Sequence, residues 1–371
     1  MKKVGFVGWR GMVGSVLMDR MRAEQDFALD FEPVFFTTSQ VGELGPDVGK
    51  GRAPLLDASD LGALGKQDVV VTCQGGDYTS AIHPKLRAAG WQGYWIDAAS
   101  SLRMKDDAVI ILDPVNRAVI DQALGKGIKD YVGGNCTVSL MLMVMHGLID
   151  QGWVEWISAM TYQAASGAGA KNMQELVAQM RAIGNAAAPL LDSPSATALE
   201  LDRNVVATLA SSAYPTKEFG APLAASIIPW IDRPVEGGQT REEWKGYAEA
   251  NKIMGLVPPI PVDGLCVRVA AMRCHSQGLT VKLKRDVPLD EIEAVIAASN
   301  QWAKVIPNTM AETKQMLSPA AISGKLEVAI GRLHKMHMGP DYLTAFTVGD
   351  QLLWGAAEPL RRMLRILLGA L

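Results

Sequence analysis

Short apolar runs alternate with amphipathic stretches over the first part of the chain. Lys3-Val4-Gly5-Phe6-Val7 reads as a buried strand, followed by a glycine-rich turn from Gly8 to Gly14. Val13, Val16, Leu17 and Met21 then recur at helical spacing, with Asp19, Arg20 and Arg22 on the opposite face. Apolar, partly β-branched runs at 33–36, 68–73, 94–96, 109–112 and 129–132 predict further strands, and 84–89 predicts a helix between two of them. Such alternation implies α/β architecture: a doubly wound, Rossmann-like parallel sheet whose ligands bind beyond the carboxyl ends of its strands.

The later pattern differs. An apolar helix starts near Val138 and runs to Met145, where His146 stops it, too short to span a bilayer. Residues 160–170 run from a strand into a small-residue loop, and 173–180 reads as a helix. Proline-rich loops occupy 192–194, 229–234 and 256–263. Residues 262–272 alternate as a strand, with Val267, Val269 and Ala271 on one face and Arg268, Ala270 and Met272 on the other. His275 has the opposite parity to Arg268, so both point inward only if the strand bends or ends between them. Residues 279–283 form another strand. The closing helix, 351–368, reads as amphipathic with Arg361, Arg362 and Arg365 exposed. This half is expected to form an α+β domain. No internal repeat or low-complexity tract is present.

Composition narrows the picture. A chain of 371 residues predicts two domains, and 49% hydrophobic with 20% charged residues fits a well-packed globular protein. A net charge of -3 gives no reason to expect nucleic acid or an anionic membrane as partner. The four cysteines, Cys73, Cys136, Cys266 and Cys274, show no metal-ligand spacing and suggest free thiols in a reducing compartment. The Met1–Trp9 run lacks a signal-peptide cleavage site, and Arg10 interrupts it, so a cytoplasmic location is expected.

Gly133-Gly134-Asn135-Cys136-Thr137 carries the sharpest chemistry. It sets Cys136 on a tight strand-to-helix turn, where unpaired amides and the helix dipole favour thiolate over thiol. By itself the cysteine can also be read, with less weight, as one more small buried residue. The strand–glycine turn–helix context of Gly8, Arg10, Gly11, Met12 and Val13 fits a dinucleotide phosphate site, although the spacing is GxxGxxG. NAD sites place an acid after the second strand, whereas here Thr37-Thr38-Ser39-Gln40 stands at that point. Hydroxyls, amides and Arg10 suit a 2′-phosphate, which favours NADP. Gln74, the Ser100–Arg103 segment and Asn135-Cys136 all follow expected strands, so cofactor and thiol share one crevice.

Several blocks in order make the chain similar to the aspartate-semialdehyde dehydrogenases of Gram-negative bacteria. They are GWRGMVGSVLM, TCQGGDYT, WIDAASSLRM, GGNCTVSLMLM, TYQAASGAGA, SIIPWID, REEWKG, IPVDGLCVRV, RCHSQ and FTVGDQLLWGAAEPLRRML. The resemblance implies reversible NADP-dependent interconversion of 4-phospho-L-aspartate with L-aspartate 4-semialdehyde and phosphate. In the cell this feeds lysine, threonine, methionine and isoleucine synthesis. It implies Cys136 as nucleophile, His275 as acid/base and Gln163 as the residue orienting the acyl group. Arg268 would hold the substrate α-carboxylate, and Glu242 its ammonium. Arg103, Asn135 and Lys245 would hold phosphate. Gly8, Arg10, Gly11, Met12, Val13, Thr38, Ser39, Gln74, Ser166, Gly167, Pro194 and Gln351 would contact the cofactor. The resemblance also implies a dinucleotide-binding unit of 1–134 with 355–371, a catalytic and dimerisation unit of 135–354, and a homodimer. His334 and His337 match no family position and read as surface or interface residues.

Other readings stand beside it. N-acetylglutamyl-phosphate reductase is a related acyl-phosphate reductase, but Glu242 as ammonium partner argues against an acetylated substrate. A cysteine hydrolase dyad of Cys136 and His275 leaves the glycine turn unexplained. A catalytically dead NADP sensor would bind cofactor without turnover. Without the resemblance, Glu242 and Lys245 are an exposed ion pair three residues apart on a helix.

Overall fold

The computed structural model describes residues Met1–Leu371. Seven strands form the first sheet: β1 Lys2–Val7, β2 Phe31–Thr37, β3 Leu56–Asp57, β4 Val69–Thr72, β5 Tyr94–Asp97, β6 Ala108–Ile111 and β7 Asp130–Gly133. All pair in parallel in the order β3-β2-β1-β4-β5-β7-β6. The order reverses direction between β1 and β4, which opens a crevice at their carboxyl ends. The runs at 68–73, 94–96, 109–112 and 129–132 fall on β4 to β7. Central strand β4 is buried at all four positions, as expected of a sheet covered on both faces. The helix read at 84–89 is longer, Gly76–Ala88.

The second sheet is mixed: β8 Val154–Gln163, β9 Val262–Asp263, β10 Cys266–Arg268, β11 Cys274–Leu283, β12 Ala303–Val305, β13 Val328–Met336 and β14 Gly339–Asp350. Its main path is β10-β8-β11-β14-β13-β12, and β9 also pairs with β8. Helix Cys136–Asp150 lies against one face. Every residue from Thr137 to His146 is buried, so His146 does not end the apolar run but continues it. This helix supplies much of a cluster of 28 buried residues with Ile157, Leu279, Val281, Leu343 and Ala345 of the sheet. Burying each large aliphatic side chain contributes roughly 1.5–3 kcal/mol, so the helix that carries Cys136 at its start is firmly anchored.

Two expectations are corrected. The strand read over 262–272 is two short strands, β9 and β10, separated at Gly264, where any Cβ would run into the Ala159 carbonyl. The parity problem disappears with it, because Arg268 ends β10 and His275 lies on β11, on opposite sides of β8. The closing helix, Glu358–Leu367, is amphipathic as read, but its arginines are not exposed. Arg361 is 3% exposed and bonds Asp26 and Glu358, Arg362 grips Asp113, and Arg365 reaches Asp26. Leu360, Met363 and Leu364 pack this helix into the core of the first sheet. A π-helical turn, Leu353–Ala357, leads into it from β14.

Candidate active site

β7 ends at Gly133, and helix Cys136–Asp150 begins three residues later. Asn135 caps it: Oδ1 accepts the N–H groups of Thr137 at 3.1 Å and Val138 at 3.2 Å. The cap leaves Cys136 at the first helical position. Gly355 must be glycine there, since a Cβ would fall 2.7 Å from Cys136 Cβ. His275 Nε2 lies 3.1 Å from Cys136 Sγ, and its Nδ1 accepts the Ala164 N–H at 2.9 Å. Arg268 Nη1 donates to the Ala164 carbonyl at 2.7 Å. Gly167 closes over both: a Cβ would lie 2.9 Å from Arg268 Nη1 and 3.0 Å from His275 Cε1.

Helix Arg241–Met254 supplies the charged wall. Its capping box, Thr240 with Glu243, sets the first turn. Glu242 and Lys245 are an ion pair at 2.8 Å but not an exposed one, being 7% and 8% exposed. Glu242 Oε1 also accepts from Asn135 Nδ2 at 2.9 Å and Gln163 Nε2 at 3.3 Å. Burial works against that charge, yet Lys245 and the two amides hold the carboxyl down at about 2. Lys245 also donates to Asp232 Oδ2 at 3.1 Å. Against burial, Glu242 and Asp232 keep the Lys245 pKa above its ordinary value.

Arg103 is 8% exposed and donates from Nε to the Gly133 carbonyl at 2.6 Å and from Nη1 to Glu249 Oε1 at 3.1 Å. Glu249 was not singled out from the sequence, although Glu242, Lys245 and Glu249 repeat at helical spacing on one face. Its other oxygen accepts the Asn135 N–H at 2.6 Å. Asp232 and the Ala164 backbone also lacked a sequence signal.

The thiolate expected at the helix start is not favoured in the ligand-free site. Burial, then Glu242, pushes the Cys136 thiol up to about 12, outweighing Arg268, Lys245 and Arg103. His275 is likewise far from the near-neutral value expected of an acid/base: burial and Arg268 hold it down to about 3.

A cavity of about 540 Å³ joins these groups. Arg103, Asn135, Cys136, Gln163, Glu242, Lys245 and Arg268 line it, and so do Met12, Val13, Ser166, Gly167 and Gln351. Gln351 donates to Ser166 Oγ at 2.8 Å. Gly8 has φ +72, and a Cβ would lie 2.5 Å from Gln74 N, so the β1 and β4 turns meet without side chains between them. Helix Met12–Ala23 has no side-chain cap, and the Met12, Val13 and Gly14 amides have no protein acceptor. Such a helix start fits a dinucleotide phosphate. Arg10, Thr38 and Ser39 are exposed beside it, with Arg10 Nη2 2.9 Å from Thr37 Oγ1. Pro194 is exposed on the loop after helix Ala170–Leu191 and does not line the cavity.

Residues 3–123 match the semialdehyde dehydrogenase NAD binding domain, and 145–354 match the semialdehyde dehydrogenase dimerisation domain. Aspartate semialdehyde dehydrogenase from Francisella tularensis is 47% identical, with 99% of this chain and 100% of that one covered, at a TM-score of 0.94. The chain belongs to the aspartate-semialdehyde dehydrogenase family. It is an oxidoreductase with a nicotinamide-dinucleotide-binding domain. Two more distant members share the fold. Aspartate semialdehyde dehydrogenase II from Vibrio cholerae, complexed with ASA, is 21% identical with a TM-score of 0.80, covering 100% of this chain and 98% of its own. The Candida albicans enzyme, solved with NADP, is 16% identical with a TM-score of 0.62, and both chains are fully covered at 100%. No helix is long and apolar enough to cross a membrane.

Proposed function

We propose that this aspartate-semialdehyde dehydrogenase interconverts 4-phospho-L-aspartate with L-aspartate 4-semialdehyde and phosphate, using NADP, with Cys136 as nucleophile. The observation that carries the reading is one cavity holding a thiol 3.1 Å from an imidazole, three cations and an uncapped helix start. Cys136 attacks the acyl carbon, and the phosphate departs toward Arg103, Lys245 and the Asn135 side chain. A covalent thioester replaces one difficult transfer with two easier ones. Arg268 holds the α-carboxylate through its guanidinium fork, Glu242 receives the ammonium, and Gln163 steadies the acyl group. His275, whose Nε2 stands 3.1 Å from Sγ, is the acid/base in this reading, exchanging a proton with the thiol and with the thiohemiacetal oxygen. The bound cofactor, when present, supplies or removes hydride at the acyl carbon.

NADP over NAD is supported by Thr37-Thr38-Ser39-Gln40 at the end of β2, where no acid stands, and by the exposed Arg10 guanidinium beside it. Gly8, Arg10, Gly11, Met12, Val13, Thr38, Ser39, Gln74, Ser166, Gly167 and Gln351 are the contacts we assign to it, with Pro194 reached from its loop. Residues 1–134 and 355–371 form the cofactor unit in this reading, and 135–354 the catalytic and dimerisation unit of a cytoplasmic homodimer.

The test supplies aspartate semialdehyde, phosphate and NADP and follows nicotinamide absorbance. Reduction that requires phosphate and fails in Cys136→Ala supports the reading. Reduction without phosphate, or equal efficiency with NAD, contradicts the corresponding part of it.

A further inference from the structure

A second cavity, of about 510 Å³, lies beside the catalytic one and shares Ser100 with it. Three segments build the wall between them, each giving side chains to both. Arg103, Asp232 and Lys245 line the catalytic cavity, while Lys105, Arg233 and Arg241 line the outer one. The inner cations are already matched: Arg103 pairs with Glu249, and Lys245 with Glu242 and Asp232. The outer three make no ion pair, although Glu236 stands on the same wall. Three positive charges against one negative are concentrated here in a chain whose net charge is -3. The backbone fixes their arrangement. Arg241 N–H donates to the Arg233 carbonyl at 2.8 Å and Val235 N–H to the Gln239 carbonyl at 2.9 Å, so the two arginines are neighbours across a short antiparallel turn. Asp232 at its base is held at φ +70, and its carbonyl accepts the Trp230 indole N–H at 2.9 Å. Lys252 Nζ donates to the Lys105 carbonyl at 2.5 Å, which ties the third cation's backbone to helix Arg241–Met254.

We propose that this outer cavity is a second anion site, taking inorganic phosphate and the phosphoryl end of an acyl phosphate on their way past Ser100 to and from Arg103 and Lys245. The proposal rests on the reaction assigned above. An anion approaching the ligand-free enzyme meets inner cations whose charge is largely cancelled by Glu249, Glu242 and Asp232. The unpaired outer cations supply the long-range attraction instead. Guanidinium groups bind phosphate oxygens through paired N–H donors, and the Ser100 and Ser101 hydroxyls can serve the remaining oxygens. Arg233 and Lys105 are exposed, so water and salt weaken their hold. A weak site suits an anion that must be passed on and later released.

Calorimetric titration of the full chain with inorganic phosphate at low ionic strength should resolve two sites. Arg233→Ser combined with Arg241→Ser should remove the weaker one, and Arg103→Ala the other. A single site, or a second one that survives the double variant, overturns the proposal. Initial rates with aspartate semialdehyde and NADP test the passage itself. The double variant should lose about tenfold in kcat/KM for phosphate, within the range that electrostatic steering supplies, at unchanged kcat. The loss should shrink as salt is raised. Lys105→Ser, on a different segment, should act in the same direction, so the result does not hang on the start of one helix. Lys314→Ser, on the exposed helix Met310–Met316, removes a charge that lines neither cavity and should change nothing. Equal losses in Lys314→Ser, or a fall in kcat rather than kcat/KM, overturn the proposal. Failure of the parent chain to turn over aspartate semialdehyde would sink the reaction assignment while leaving the two phosphate sites as titrated.

Discussion

Glu249 joins Arg103, which we assign to phosphate, to the cysteine turn. One oxygen fixes Arg103 and the other the Asn135 N–H, at 2% exposure. Glu249→Gln keeps the size but removes the charge that orients Arg103. Hydrogen bonds to charged groups contribute about 1.5–3 kcal/mol, so kcat/KM for phosphate should fall roughly 10–100-fold, mainly through KM. Initial rates across a phosphate series measure it, and an unchanged KM would remove Glu249 from the phosphate site. Cys136 makes a second residue-scale prediction. With its thiol pushed up to about 12, the reactive thiolate fraction in the ligand-free enzyme rises with pH, about tenfold per unit through the neutral range. Alkylation of Cys136 by iodoacetamide, read by mass spectrometry, should rise without a plateau between about pH 6 and 9. A plateau near neutrality would mean a thiolate stabilised at rest. Cys136 was legible in the sequence because strand, glycines, asparagine and helix are contiguous. Its 3.1 Å partnership with His275 spans 139 positions and was reached only through resemblance.

Elements with local signals were read correctly, and those shaped by distant partners were not. Strand β4 is an unbroken apolar run, and the turn after β1 is rich in glycine. The arginines of helix Glu358–Leu367 look like a polar face because their carboxylate partners, Asp26 and Asp113, lie hundreds of positions away. β9 and β10 merged into one strand because Gly264 breaks the ladder for a reason visible only beside Ala159. The glycine turn gives the element-scale prediction. A Cβ on Gly14 would run into the Gly8 carbonyl, whereas one on Gly11 would sit 3.3 Å from the same oxygen. Gly14→Ala should therefore lift the helix off the turn, destabilising the protein by about 1–3 kcal/mol and weakening cofactor affinity. Gly11→Ala should do much less. Thermal melts and fluorescence titration with NADP separate them, and equal effects would show that close helix–turn packing is not what the glycines serve.

At the scale of the molecule, the second sheet has a covered face and an open one. Ile157, Leu279, Val281 and Leu343 meet helix Cys136–Asp150, while Trp156, Met160, Tyr162, Tyr342 and Phe346 fall on the opposite face by register. Aromatic pairs bridge that face, Trp156 with Tyr342 and Tyr162 with Phe346 at 6.2 Å. Met160 and Tyr162 remain 38% and 39% exposed. Helix Ala198–Leu209 has no buried residue at all, although Leu199 and Val206 are among its side chains. Exposed apolar and aromatic side chains among polar neighbours on one open face suit an association surface, and they fall within the segment matching the dimerisation domain. In a two-fold homodimer the same patch meets its own copy, so one substitution acts twice across the interface. Tyr162→Asp places a charge on the open face while Gln163, next along β8, still points into the active site. The variant should shift the protein from dimer to monomer by light scattering while nucleotide binding to the first sheet persists. A monomeric parent chain would refute the homodimer. A Tyr162→Asp variant that stays dimeric would move the interface elsewhere, with the exposed helix Ala198–Leu209 as the next surface to substitute.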